Sequence, residues 1–205
     1  MCKPFVRQAS LVGQNATKVG YIQVTQYTTP TGDCVRTFEP MAAATRAIQL
    51  ARAGEQPYFE EGQLGDIERD ALVQGLPLWF AAKAGSLYLA ANASWPGLFK
   101  IGCTRKSVES RMRQLSGAGV ATPWVAVHSW SVHDAHGLEA MAHRACAKWR
   151  VEKELFNAPA QTLILSVESV VSRERAILAD KLSIYLPAYF SRECESAINT
   201  AKPNE

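Results

Sequence analysis

The chain has 205 residues, 47% hydrophobic and 20% charged, with a formal net charge of +3. That make-up belongs to a soluble globular protein with a real core, either one large domain or one of ordinary size plus a smaller region. Five scattered cysteines without a CxxC pair exclude a zinc ribbon and a dithiol redox site, and the weak charge leaves the nucleic-acid question to the distribution of basic residues.

Residues 1–18 are polar and aperiodic and read as a loose start. Tyr21 to Tyr27 is β-branched and aromatic, a strand pattern. Thr29-Pro30-Thr31-Gly32-Asp33 is a turn, and Cys34 to Phe38 is the returning strand of a hairpin. Pro40 opens an Ala-rich helix from Met41 to Arg52, stopped at Gly54. An acidic loop at 55–63 precedes a second helix over Leu64–Gln74. Pro77-Leu78-Trp79-Phe80 then leads into a linker at Ala84-Gly85.

Leu87 to Ala91 is an apolar strand, Asn92 to Gly97 a hairpin loop, and Leu98 to Cys103 a second strand. Ser107 caps a helix over Val108–Leu115. Trp124 to Val132 is a long third strand. Asp134 caps a helix over Ala135–Trp149 with Leu138, Met141, Ala142, Ala145 and Trp149 on its apolar face. A last helix covers Ser166–Tyr185, and the tail after Ser191 is polar. The second half therefore predicts an α+β fold in which a small three-stranded antiparallel sheet is flanked by helices. Nothing after Met1-Cys2-Lys3 reads as a signal-peptide core, and no run approaches the roughly 18 apolar residues of a membrane span. These features predict a cytoplasmic protein with reduced thiols that uses no membrane.

Several residue types in this block carry chemistry. Tyr88 sits on the first apolar strand, Lys100 and Gly102 on the second, Arg111 near the start of the capped helix, and Glu139 within an apolar helix segment. Tyr88 alone reads as core and Arg111 alone as a solvated cation. Glu139 amid Leu138, Met141 and Ala142 needs a partner or a metal. Lys100, Arg105, Lys106, Arg111 and Arg113 face only Glu109 in their interval, a local positive surface suited to a phosphate backbone. All four histidines, His128, His133, His136 and His143, fall within sixteen residues, but His133-x-x-His136 is not a strong ligand pattern and no cysteine is well placed beside it. His143 lies one turn after Glu139 on the same helix face. Trp130 and Trp149 read as core, and Trp95 stands on the hairpin tip, within reach of nucleic acid.

Ser86-Leu87-Tyr88, Lys100-Ile101-Gly102-Cys103-Thr104, Arg111 to Ser116, Leu138 to His143 and Glu154-Leu155-Phe156, taken in series over residues 85–160, resemble the GIY-YIG nuclease superfamily. The closer likeness is to its phage and bacterial branch, whose second motif reads KIG. The resemblance implies a three-stranded sheet with flanking helices and an endonuclease that hydrolyses nucleic-acid phosphodiesters, DNA in preference to RNA, with one divalent ion, Mg²⁺ or Mn²⁺. It implies Tyr88 or Lys100 as base, Arg111 as phosphate clamp, Glu139 as metal ligand and His143 as a catalytic residue that supports the site or contacts phosphate. Gly102 and Asn157 would be structural at the site, and Arg105, Lys106 and Arg113 would bind the backbone. The expected organisation is an accessory hairpin-plus-helices region at 1–84, open to a protein partner, a nuclease-like domain at 85–160 and a helical extension at 161–205. The alternatives are a nucleic-acid-binding module on the same fold without catalysis, and an interaction protein whose N-terminal part does the work.

Overall fold

The structure, a computed structural model, describes residues 24–28, 34–59, 61–117 and 120–191. The loose start at 1–18, the turn at Thr29–Asp33 and the tail after Ser191 lie outside the described residues, as do Tyr21 to Gln23 of the first expected strand. The chain divides into two compact units, residues 1–79 with 176–205, and residues 80–175.

In the first unit β1 (Val24–Thr28) and β2 (Cys34–Phe38) pair antiparallel with Gln26 opposite Arg36. Helix α1 (Pro40–Arg52) starts where Glu39 accepts hydrogen bonds from the Met41 and Ala42 amides and Pro40 supplies a preset φ. It buries Ala43, Ala44, Ala47, Ile48 and Ala51 on one face. Helix α2 (Gln63–Lys83) is twice as long as expected because it runs straight through Pro77. Pro77 removes one helical hydrogen bond from the carbonyl of Val73. Both residues lie on the solvent side, where water can replace that bond, while Ala71, Leu72, Leu76 and Trp79 keep the buried stripe intact. Gly75 has a steric reason: a Cβ there would stand 1.8 Å from the Pro40 carbonyl oxygen.

The second unit is built on β3 (Gly85–Asn92), β4 (Leu98–Thr104), α3 (Val108–Leu115), β5 (Trp124–Val132), α4 (Ala135–Ala145), a 3₁₀ turn at Ala147–Trp149, β6 (Arg150–Glu152), β7 (Leu155–Asn157) and, up to residue 175, α5 (Ala160–Leu182). The α+β class is as expected, but the antiparallel sheet has five strands rather than three, in the order β5-β3-β4-β7-β6. The extra pair was illegible because each strand is three residues long, too short to show an alternating pattern. Lys153, at φ 45°, lies between them. Helix α4 also ends earlier than expected, and Trp149 reaches the core from the 3₁₀ turn instead.

Strand β3 lies between β5 and β4 and is buried on both faces from Leu87 to Ala90. Leu87 and Leu89 point to a core with Ile101, Trp130, Phe156, Leu138 and Ala142, closed by Leu163, Val167 and Val171 of α5. Trp130 Nε1 donates to Glu168 of α5 at 2.6 Å. Tyr88 and Ala90 point the other way, to Met112 of α3 and Trp124. Each large apolar side chain buried here stabilises the unit by about 1.5–3 kcal/mol. The alternation of β3 thus sends Tyr88 to the face that α3 covers.

Candidate active site

Tyr88 pairs across the sheet with Gly102, and its side chain is fully buried. The ring lies over Gly102, where a Cβ would stand 2.4 Å from the phenolic oxygen. Ser107 caps α3 by accepting from the Ser110 amide at 3.2 Å, which sets Arg111 in the first turn. Arg111 Nε donates to the Tyr88 hydroxyl at 3.4 Å. Lys100 lies two residues before Gly102 on the same face of β4, and its ammonium forms an ion pair with Glu154 in the turn between β6 and β7.

Glu139 comes from the second turn of α4, which Asp134 caps by accepting from the Gly137 amide at 3.0 Å. Its Oε2 accepts from the Cys103 thiol at 3.2 Å. His136, one turn earlier, places Nδ1 at 3.2 Å from the same sulfur and 3.9 Å from Glu139 Oε2.

The electrostatics join the two sides of the sheet. The charges of Arg111 and Glu139, from opposite sides of the sheet, both reach Tyr88, Lys100 and Cys103. Burial pushes the Tyr88 phenol above its ordinary value, with Arg111 pulling it back. Burial, then the Arg111 charge, lowers the Lys100 ammonium, with Glu139 opposing. The ion pair with Glu154 also opposes that fall by favouring the charged lysine. Cys103 is pushed up to about 12, by burial first and then by its hydrogen bond to Glu139. It stays a thiol at neutral pH, and both it and Cys146 are free cysteines.

Of the residues singled out in the sequence, Tyr88, Lys100, Gly102 and Arg111 share one side of the sheet, whereas Glu139 lies against Cys103 on the α4 side and reaches Tyr88 and Lys100 through its charge. His143 lies behind them: its Nε2 donates to the Ile101 carbonyl at 2.9 Å and its ring packs on Phe156. It ties α4 to β4 between Lys100 and Gly102. Asn157 pairs with Leu98, at the opposite end of β4 from Gly102, and is exposed. Arg105, Lys106 and Arg113 are exposed along the β4–α3 turn and α3, and among the described residues no carboxylate pairs with them.

Three members of the site have no site role in the sequence reading: Glu154 and Cys103 stand there only within the family-like motifs, and His136 only in a weak histidine pair without a cysteine partner, which the structure corrects by bringing Cys103 to it. Glu154 is fifty-four residues from Lys100, and no local spacing links them. Cys103 and His136 meet because β4 lies against α4; the one local signal was the i,i+3 spacing of His136 and Glu139.

The family model of the T5orf172 domain matches residues 85–172. No curated protein and no solved structure matches the chain. The T5orf172-like region contains every residue of the site, and the similarity points to a nuclease-like, nucleic-acid-related role. A hard divalent ion needs one or two carboxylates and fills the rest of its shell with water and phosphate oxygen. Glu139, with a side chain 21% exposed, offers that ligand. Among the described residues no helix is long and apolar enough to cross a membrane.

Proposed function

We propose that residues 85–172 act as a GIY-YIG-type endonuclease that hydrolyses nucleic-acid phosphodiesters, DNA in preference to RNA. The observation that carries this reading is the Arg111 guanidinium on the Tyr88 hydroxyl, with Lys100 on the same face and the charge of Glu139 felt by Tyr88 and Lys100. Water attacks the phosphorus in line, a P–O bond forms, and the opposite P–O bond breaks to release the strand end. Lys100, whose proton is loosened by burial, takes the proton of the attacking water. Tyr88 is the poorer base because burial holds it neutral; its hydroxyl fixes Arg111 instead. The planar fork of Arg111 binds a non-bridging phosphate oxygen. Mg²⁺ or Mn²⁺ held by Glu139 would supply neutralisation of the charge that grows on the leaving oxygen.

Beside Lys100 lies an open cleft of about 410 Å³ lined by Trp95, Trp124, Lys153, Glu152 and Glu154. Trp95 is 46% exposed and offers a nucleobase an aromatic face. Arg105, Lys106 and Arg113 would track the phosphate backbone. Residues 1–84 take the accessory role, target selection or the binding of a protein partner, since no site residue lies in them.

One observation favours a second reading, a nucleic-acid-binding module without catalysis. Both candidate bases are occupied, Tyr88 by burial and Arg111, Lys100 by Glu154. The deciding experiment is nicking of labelled DNA and RNA with Mg²⁺ or Mn²⁺ by the wild-type chain and by folded Arg111→Ala and Glu139→Ala variants. Metal-dependent cleavage lost in both variants supports the nuclease. Salt-sensitive binding without cleavage supports the module. Neither cleavage nor binding sinks both readings and turns attention to residues 1–84.

A further inference from the structure

The thiol of Cys103, the Nδ1 of His136 and the carboxylate of Glu139 lie within 4.8 Å of one another at the end of β4 and the start of α4. Their separations are 3.2 Å (sulfur to nitrogen), 3.2 Å (sulfur to oxygen) and 3.9 Å (nitrogen to oxygen). A tetrahedral Zn²⁺ with bonds of about 2.3 Å to sulfur and about 2.0–2.1 Å to nitrogen and oxygen sets sulfur about 3.5–3.6 Å from each of the other two, and these about 3.3–3.4 Å apart. The two edges at sulfur are close to those of such a tetrahedron, and a shift of about half an ångström between the imidazole and the carboxylate closes the third.

We propose that Cys103, His136 and Glu139 form a three-ligand site for a borderline transition ion, and that Zn²⁺ is the ion it fits. The donor set selects the class of ion. Mg²⁺ and Ca²⁺ take oxygen ligands, whereas a thiolate with an imidazole and a carboxylate suits Zn²⁺ or Co²⁺. Binding replaces the thiol proton, which leaves to solvent, and puts two negative ligands and one neutral one around a divalent charge. Three protein ligands leave a fourth position open to water or to a phosphate oxygen. His136 is 75% exposed, so the ion has a way in. Cys103 and His136 are separated by 33 residues, so no sequence motif announces the site.

Glu139 is also the carboxylate that the nuclease reading gives to Mg²⁺, so Zn²⁺ here competes for it. The two readings stand or fall separately, because the Zn²⁺ site is tested without nucleic acid. The full chain, stripped of metal by a chelator, is titrated with Co²⁺ and followed by absorption. The expected result is a thiolate-to-cobalt charge-transfer band that saturates at one equivalent. Zn²⁺ removes it stoichiometrically and excess Mg²⁺ does not. Cys103→Ser abolishes the band. His136→Ala, a change at an exposed position, weakens Co²⁺ binding by more than about tenfold, since even outer-sphere partners of a metal are worth that much. Circular dichroism confirms that both variants are folded. No band at one equivalent, or an undiminished band in folded Cys103→Ser, would overturn the proposal. Failure to cleave nucleic acid would leave it standing.

Discussion

A Cβ on Gly102 would stand 2.4 Å from the hydroxyl oxygen of Tyr88, and the two residues face each other across β3 and β4. The missing side chain is what lets the phenol lie flat over the neighbouring strand and reach Arg111. Gly102→Ala should push the ring off its seat within a face that Met112 and Trp124 fill. The expected cost is about 1–3 kcal/mol of stability, the usual penalty for overpacking. Denaturant unfolding measures it. An unchanged midpoint would mean that the ring has room to move.

Tyr88→Phe keeps the packing and removes only the hydroxyl that Arg111 Nε meets at 3.4 Å. A hydrogen bond to a charged group is worth about 1.5–3 kcal/mol, so cleavage should fall by about tenfold to a hundredfold. Because the phenol is held neutral by burial, the loss should be the same at every pH below its raised pKa. A loss confined to alkaline pH would return the role of base to Tyr88.

The capped helix Val108–Leu115 and the strand Trp124–Val132 could be read from the chain residue for residue, because a Ser107 cap and a sustained apolar pattern are local signals. The placement of Tyr88, Gly102 and Arg111 followed from those elements once the hairpin was recognised. What stayed hidden was decided by tertiary contact. The bond lost at Pro77 faces solvent, so α2 continues where proline argues for a stop. Strands β6 and β7 exist because β7 can extend the edge of β4, which their three residues each cannot announce. The partners of Lys100 and Cys103 lie fifty-four and thirty-six residues away, on elements whose contact only the fold defines.

Lys100 carries a pH prediction. A base acts deprotonated, so cleavage should rise with pH through the Lys100 pKa, which burial and Arg111 set below the ordinary lysine value. The Glu154 carboxylate favours the ammonium form, so Glu154→Gln should lower that pKa further and move the rising limb to lower pH. Lys100→Met should abolish the limb. Rate against pH for the three proteins decides it, and a limb that stays in place in Glu154→Gln would take proton transfer away from Lys100.

Arg105, Lys106 and Arg113 should act through charge alone. They are exposed, and none is held by a carboxylate among the described residues. Each phosphate they neutralise releases condensed counterions, so the logarithm of the binding constant for duplex DNA should fall with the logarithm of salt by about 0.9 per contact. Replacing all three by alanine should make that slope shallower by about 2–3 and weaken binding equally on unrelated sequences. Arg111→Ala is the useful contrast. Its guanidinium is half-buried against Tyr88 and is aimed at one phosphate, so it should change the slope by no more than about 1 while removing cleavage. Binding isotherms at several salt concentrations separate the two kinds of cation, and equal slopes for the triple variant and the wild type would remove these three residues from the nucleic-acid surface.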